Sequence, residues 1–108
     1  MNDGIPQDTR CTVLVTLDCP SRASFEAVAR LALKNLPHFW SMPGFLGGEI
    51  YVATGTWRVI TRLDWQTVED HERCMSDPAW SDVPESIEFQ DRVDADDVRM
   101  SIEVLSRV

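Results

Sequence analysis

The sequence predicts an α+β fold in which an antiparallel sheet of four strands is covered on one face by two helices. Two observations support this. Short segments rich in β-branched residues or of alternating hydrophobicity are separated by amphipathic helical patterns. The order along the chain is strand, helix, strand, strand, helix, strand, which is the ferredoxin-like split βαβ arrangement.

The outer elements are defined by hydrophobic periodicity. β-Branched residues dominate Cys11 to Leu17, which is the first predicted strand. Apolar residues then recur at helical spacing from about Arg22 to Leu36. Prolines around the end of this helix leave His38 to Met42 as a predicted loop. Alternation returns from Val98 to Leu105, the last predicted strand.

The two middle strands are predicted to form a hairpin. A turn centred on Thr54 and Gly55 would pair Val52 with Trp57, because this glycine can adopt the positive φ of a tight turn. The face predicted to lie under the helices is apolar: Leu46, Ile50, Val52, Trp57, Val59, Leu63 and Trp65. The opposite face is mixed, which favours an interface with another subunit or a wet cavity wall: Phe45, Glu49, Tyr51, Arg58, Ile60, Arg62 and Asp64.

The second helix is short and well signalled. Thr67 can cap the free amides of a helix that ends at Met75. His71 and Met75 are four residues apart, so both fall on one helical face, and we expect His71 to point inward. The polar stretch from Asp77 to Asp97 predicts no more than one or two weak helical turns.

Composition restricts the class of protein. The 108 residues, 44% of them hydrophobic, suit one domain, which we place at residues 11–108 after a polar tail at residues 1–10. A net charge of −8 disfavours nucleic acid and anionic membranes as partners. Neither a signal sequence nor a membrane-spanning segment is apparent, so we expect a cytoplasmic protein. The three cysteines lack the spacing of a zinc site or a redox pair: Cys11, Cys19 and Cys74.

The middle third of the chain resembles a known family. The stretches that carry the likeness are Met42-Pro43-Gly44-Phe45-Leu46-Gly47-Gly48-Glu49, Trp65-Gln66-Thr67 with His71, and Asp77-Pro78-Ala79-Trp80. They resemble the antibiotic biosynthesis monooxygenase domain family of the dimeric α+β barrel superfamily. The resemblance implies a homodimer in which two sheets pack face to face, and a pocket in each subunit between the sheet and its helices. Several members oxidise polycyclic aromatic phenols with molecular oxygen and without metal, flavin or haem; others degrade haem, cyclise polyketides or isomerise lactones.

The resemblance also implies site residues. Trp65 corresponds to a tryptophan that lines the pocket, and Thr61 stands where quinone-forming members have an asparagine that holds the substrate oxygen. His71 replaces a tyrosine of those members. We expect His71 to act as general base, Thr61 to hydrogen-bond a phenol or carbonyl oxygen, and Trp65 to stack on an aromatic ring. The remaining predicted substrate-binding residues are Trp57, Tyr51, His38, Trp40 and Met75.

Three functions remain open from the sequence. The first is a cofactor-independent monooxygenase that acts on an aromatic, polyketide-type molecule with molecular oxygen. The second is a cyclase or isomerase that uses His71 for proton transfer and consumes no oxygen. The third is a non-catalytic dimeric protein that binds a ligand. A phosphate-binding loop, a nucleophile elbow, paired carboxylates and a metal-ligand cluster are all absent from the sequence, so we expect no cofactor and no metal.

Overall fold

The computed structural model describes residues 9–106 and has the predicted ferredoxin-like α+β fold. The first eight residues of the predicted tail at residues 1–10 and the last two positions of the predicted domain lie outside the described residues. The strands are β1 (Cys11–Asp18), β2 (Phe45–Ala53), β3 (Arg58–Trp65) and β4 (Arg99–Ser106). The α-helices are α1 (Arg22–Asn35), α2 (Val68–Met75), α3 (Pro78–Ser81) and α4 (Pro84–Ala95). Short 3₁₀ helices occupy Leu36–Ser41 and Thr54–Thr56.

The strands form one antiparallel sheet in the order β2-β3-β1-β4. In the centre of this sheet Val13 pairs with Leu63 and Leu17 pairs with Val59, and all four side chains are buried. They support two clusters of apolar side chains, and Val15 packs against both. The core therefore lies on one face of the sheet, beneath the helices. Within residues 9–106, no helix is long and apolar enough to cross a membrane.

A bulge near the start of β2 corrects the predicted faces of the hairpin. Phe45 pairs with Trp65, but Gly47 pairs with Asp64, so Leu46 is an extra residue without a partner. Gly47 has a φ of +150°, which accommodates the bulge. Phe45 is consequently buried under the helices and Leu46 is exposed, the reverse of the prediction.

The hairpin turn also uses more residues than predicted. Thr54–Thr56 is a 3₁₀ turn, and Trp57 follows it in a left-handed conformation with a φ of +50°. Val52 therefore pairs with Val59 instead of Trp57. A shift of two residues preserves the face of each remaining strand residue, because side chains alternate with a period of two.

The helical content after Trp65 exceeds the prediction. The stretch predicted to hold one or two turns contains α3 and the twelve-residue helix α4. Pro84 occupies the first turn of α4, where its missing N–H costs no hydrogen bond. The predicted loop after α1 is likewise a 3₁₀ helix at Leu36–Ser41. These segments contribute to the wall of a cavity between the sheet and the helices.

Candidate functional site

Helix α2 is fixed against the strands by its cap and by a tight turn. The Thr67 side chain accepts a hydrogen bond from the Asp70 amide at 3.1 Å, as predicted. Before β2, the Gly44 carbonyl accepts from the Gln66 amide at 2.7 Å, and Gly44 has a φ of +84°. A Cβ at Gly44 would overlap the Asp70 side chain, so only glycine allows the turn and α2 to approach this closely. This contact sets the position of the helix that carries His71.

His71 points inward from α2, as the helical spacing predicts. The residue is only 8% exposed, and its imidazole lies beside the Trp65 indole with ring centroids 5.8 Å apart. Its Nδ1 is buried and has no hydrogen-bond partner in the described part of the chain, residues 9–106. Burial lowers the pKa of His71 below its usual range, and the Glu72 carboxylate opposes this only partly. The imidazole is therefore neutral at neutral pH.

His71 contributes to a cavity of about 220 Å³ between the sheet and the helices. Every layer of the fold supplies part of the wall: Val15, Thr61, Leu63, Met100 and Ile102 from the sheet, Ala32, Asn35, Leu36 and Phe39 from α1 and the following 3₁₀ helix, and His71, Met75, Trp80, Phe89 and Gln90 from α2, α3 and α4. The cavity lies where the two apolar clusters meet. None of the aspartate, glutamate, lysine, arginine or cysteine side chains of residues 9–106 lines it.

Three of the predicted site residues come together at this cavity. Thr61, His71 and Met75 line it, from β3 and from the two ends of the inner face of α2. Trp65 does not line the cavity, although it was predicted to stack on a ligand. It is fully buried beneath His71, where it packs against Phe39 and Phe45. The Trp65 indole packs against the His71 imidazole and so helps to hold its position.

The other predicted substrate-binding residues, apart from Met75, do not line this cavity. Trp57 packs on Phe25 at the far end of the sheet, with ring centroids 5.5 Å apart. Trp40 is largely exposed and covers the bulge of β2 at Gly47.

Two further residues of that set are held by polar contacts away from the cavity. Tyr51 lies on the sheet face opposite the helices, where its hydroxyl donates to Glu49 at 3.0 Å and accepts from Arg62 at 3.2 Å. His38 is paired through Nε2 with Glu85 of α4 at 3.1 Å. Neither side chain lines the cavity.

A second hollow, of about 390 Å³, lies at one end of the sheet and is a weaker candidate. Its wall includes Thr12 and Asp64, which are hydrogen-bonded to each other at 2.8 Å. Neither histidine of the chain, His38 or His71, lines it. The smaller cavity therefore offers the better combination of an apolar wall and a neutral base.

Several solved structures share this architecture. A protein from Nitrosomonas europaea that is provisionally assigned to the antibiotic biosynthesis monooxygenases matches with a TM-score of 0.72 at 13% identity, over 96% of this chain and 95% of that chain. SnoaB, a cofactor-independent oxygenase from Streptomyces nogalater, matches with a TM-score of 0.68 at 13% identity, over 93% and 94% of the two chains. The fold is that of the antibiotic biosynthesis monooxygenases.

This similarity confirms the resemblance found in the sequence at the level of the fold. PA3566 from Pseudomonas aeruginosa matches as well, with a TM-score of 0.70 at 15% identity, over 95% of this chain and 98% of that chain. No protein-family model and no curated protein matches the chain. At such low identities a shared fold does not determine which reaction a protein catalyses. The function is therefore inferred from the residues that line the cavity.

The sequence did not single out most of the wall contributed by α1, α4 and β4. The most informative of these residues is Asn35, which is 5% exposed and accepts a hydrogen bond from the Ser86 hydroxyl at 2.9 Å. Asn35 continues the apolar stripe of α1 through Val28 and Ala32, at steps of four and three residues. An amide at such a position is a signal that could have been found from the spacing alone.

The cavity can hold a small neutral molecule and exchange one proton with it through His71. Among residues 9–106, no cluster of three or more His, Cys, Asp or Glu side chains could hold a metal ion. Cys74, beside His71 on α2, is buried, which raises its pKa to about 12. It is therefore a neutral thiol that packs in the core and does not act as a nucleophile.

Proposed function

We propose that this chain is a cofactor-independent oxygenase that acts on a small aromatic phenol or ketone. The observation that carries the proposal is a neutral imidazole, that of His71, at the wall of an apolar cavity without charged side chains. A base of this kind can remove a phenolic or activated C–H proton, and the resulting electron-rich anion can pass an electron to oxygen. Thr61 on the facing sheet can hydrogen-bond the substrate oxygen.

The cavity favours a smaller substrate than the polycyclic aromatic phenols that the family resemblance implies. Its volume of about 220 Å³ is below the range of roughly 300 to 1,000 Å³ that is common for drug-sized ligands. We therefore propose a substrate with one or two rings. The model reaction is the oxidation of 1-naphthol to 1,4-naphthoquinone, in which one atom of O₂ becomes the new carbonyl oxygen and the other leaves as water.

We further propose that the active form is a homodimer. Each residue of β4 is exposed, and its apolar side chains Met100, Ile102 and Val104 form a stripe on the helix side of the sheet, at an edge that the helices leave exposed. Met100 and Ile102 also line the cavity, so a second subunit packed on β4 would shield the substrate from water.

An oxygen electrode tests the proposal. We expect the protein to consume oxygen with 1-naphthol above the spontaneous rate and without added metal or flavin. The His38→Ala protein is a matched control because this histidine lies outside the cavity. Turnover that continues unchanged without oxygen would replace the oxygenase by an isomerase or cyclase. Saturable binding with no turnover in either atmosphere would replace it by a ligand-binding protein.

A further inference from the structure

Asn35 offers the cavity two hydrogen-bond donors that the fold does not use. We infer that the carboxamide of Asn35, oriented by Ser86, binds an acceptor oxygen of the ligand, such as a ring ketone. This inference deepens the proposed function and rests on it only in taking the cavity as the ligand site. The following contacts carry it.

The first contact is the buried pair of Asn35 and Ser86. The two residues are each 5% exposed, and the Ser86 hydroxyl donates to Oδ1 of Asn35 at 2.9 Å. Asn35 ends α1 and Ser86 lies in the first turn of α4, so the bond joins two helices across the top of the cavity. Because Oδ1 is engaged with Ser86, the NH₂ group of the amide is directed away from that partner.

The NH₂ group has no acceptor among residues 9–106. The only hydrogen bond of the Asn35 side chain in this part of the chain is the one that Ser86 donates. Some polar side-chain atoms of residues 9–106 are fully buried and lack a hydrogen-bond partner, but Nδ2 of Asn35 is not one of them. It therefore retains access to open space, and the residue lines the cavity. A buried amide with unused donors is costly unless water or a ligand accepts from it.

A second amide at the same wall provides the contrast. Gln90 also lines the cavity, but its Nε2 donates to Asp94 at 3.1 Å. The donors of Gln90 are thus partly used by α4 itself. Asn35 and Gln90 form a natural pair for experiment, because both are amides at one cavity and only Asn35 is held by a partner on another helix.

A role as a clamp between α1 and α4 does not account for the free donors. The ion pair of Lys34 with Glu88 at 3.9 Å and the contact of His38 Nε2 with Glu85 at 3.1 Å already join these two regions at the surface. A clamp would need only the acceptor oxygen of Asn35. The two N–H groups are explained by a ligand that brings an acceptor into the cavity.

The experiment compares two ligands of nearly equal shape. 1-Tetralone carries a ring ketone and tetralin carries none, and the binding of each is measured anaerobically through tryptophan fluorescence, with calorimetry as a check. We expect wild-type protein to bind 1-tetralone about 3- to 10-fold more tightly than tetralin, the value of one hydrogen bond. In Asn35→Leu the two ligands should bind with about equal affinity. In Gln90→Leu the preference for 1-tetralone should remain.

The outcomes separate the inference from a structural role. Ser86→Ala keeps both donors and loses only their orientation, so we expect it to weaken 1-tetralone binding while tetralin binding stays the same. Equal affinity of wild-type protein for the two ligands would overturn the inference, and this result needs no variant. Loss of the preference in Gln90→Leu but not in Asn35→Leu, or no saturable binding of either ligand, would also overturn it. A ligand preference without oxygen consumption would leave the inference standing and refute the oxygenase.

Discussion

His71 determines what chemistry the cavity can perform. Among residues 9–106, it is the only titratable side chain that lines the cavity. Burial keeps its imidazole neutral, and the Trp65 indole holds the ring from below. The same burial leaves Nδ1 without a partner, which is a feature expected at a site where function outweighs local stability.

Removing this imidazole should abolish most of the turnover. We expect His71→Ala to lower kcat about 100-fold or more, which is the usual contribution of a general base. His38→Ala should stay within about twofold, because that imidazole is paired with Glu85 outside the cavity. The measurement is steady-state oxygen uptake on proteins with matching circular dichroism. A His71→Ala protein with near wild-type kcat would remove His71 from the mechanism.

The lowered pKa of His71 also predicts how stability depends on pH. The neutral imidazole is favoured in the folded state, so the unfolded chain binds more protons below the ordinary histidine pKa of about 6.5. The stabilisation is therefore fully present above that pH and is lost as the pH falls below it. The loss is at most about 1.4 kcal/mol per pH unit.

Urea unfolding between about pH 5 and pH 8 measures this dependence. His71→Gln removes the titrating group, so its free energy of unfolding should fall less steeply on acidification than that of the wild type. The difference between the two slopes isolates His71 from the many carboxylates of the chain. Identical slopes would show that the imidazole is not desolvated in the folded protein.

At the scale of elements, the contact between the Gly44 turn and α2 decides where His71 sits. Gly44→Ala should destabilise the fold by about 1 to 3 kcal/mol, because alanine disfavours a φ of +84° and its Cβ would overlap Asp70. Gly55→Ala is the matched control, since its Cβ would meet no atom within 4 Å. Urea unfolding of both variants checks the prediction. Equal stability of the two would show that the turn does not need glycine at position 44.

The sequence predicted the elements wherever hydrophobic spacing was regular. The two central strands, the inward direction of His71 and the Thr67 cap all follow from spacing and capping chemistry. The register of the hairpin could not be predicted from the sequence. The bulge at Leu46 and the left-handed conformation of Trp57 are local features of the backbone, and they do not change the hydrophobic periodicity of the sequence.

Helix α4 was missed for a different reason. Only Ser86 and Val93 of its twelve residues are buried, so its sequence shows almost no hydrophobic periodicity that would predict a helix. The part of the cavity wall that α4 provides, and the hydrogen bond of Ser86 to the wall residue Asn35, could therefore not be predicted either. Of the residues that the sequence predicts to bind substrate, Trp57, Tyr51, His38 and Trp40 do not line this cavity.

At the scale of the whole molecule, β4 has too little cover for an isolated subunit. Its apolar side chains are exposed on both faces of the strand, with Val104 on the helix side and Leu105 on the other. We expect Val104→Arg to shift the protein from dimer to monomer in analytical ultracentrifugation. Leu33→Arg, at an exposed position on α1, should leave the dimer intact. A wild-type protein that sediments as a monomer would refute the proposed homodimer.

The central claim is that the cavity between the sheet and the helices is where the protein binds its ligand. The methionines report on it directly, because Met75 and Met100 line the cavity, whereas Met42 is buried in the neighbouring apolar cluster. The decisive measurement is an NMR titration of protein labelled at the methionine methyl groups with 1-naphthol. We predict saturable shifts of the Met75 and Met100 signals with little change at Met42. Saturable binding that leaves both Met75 and Met100 unshifted would contradict the claim.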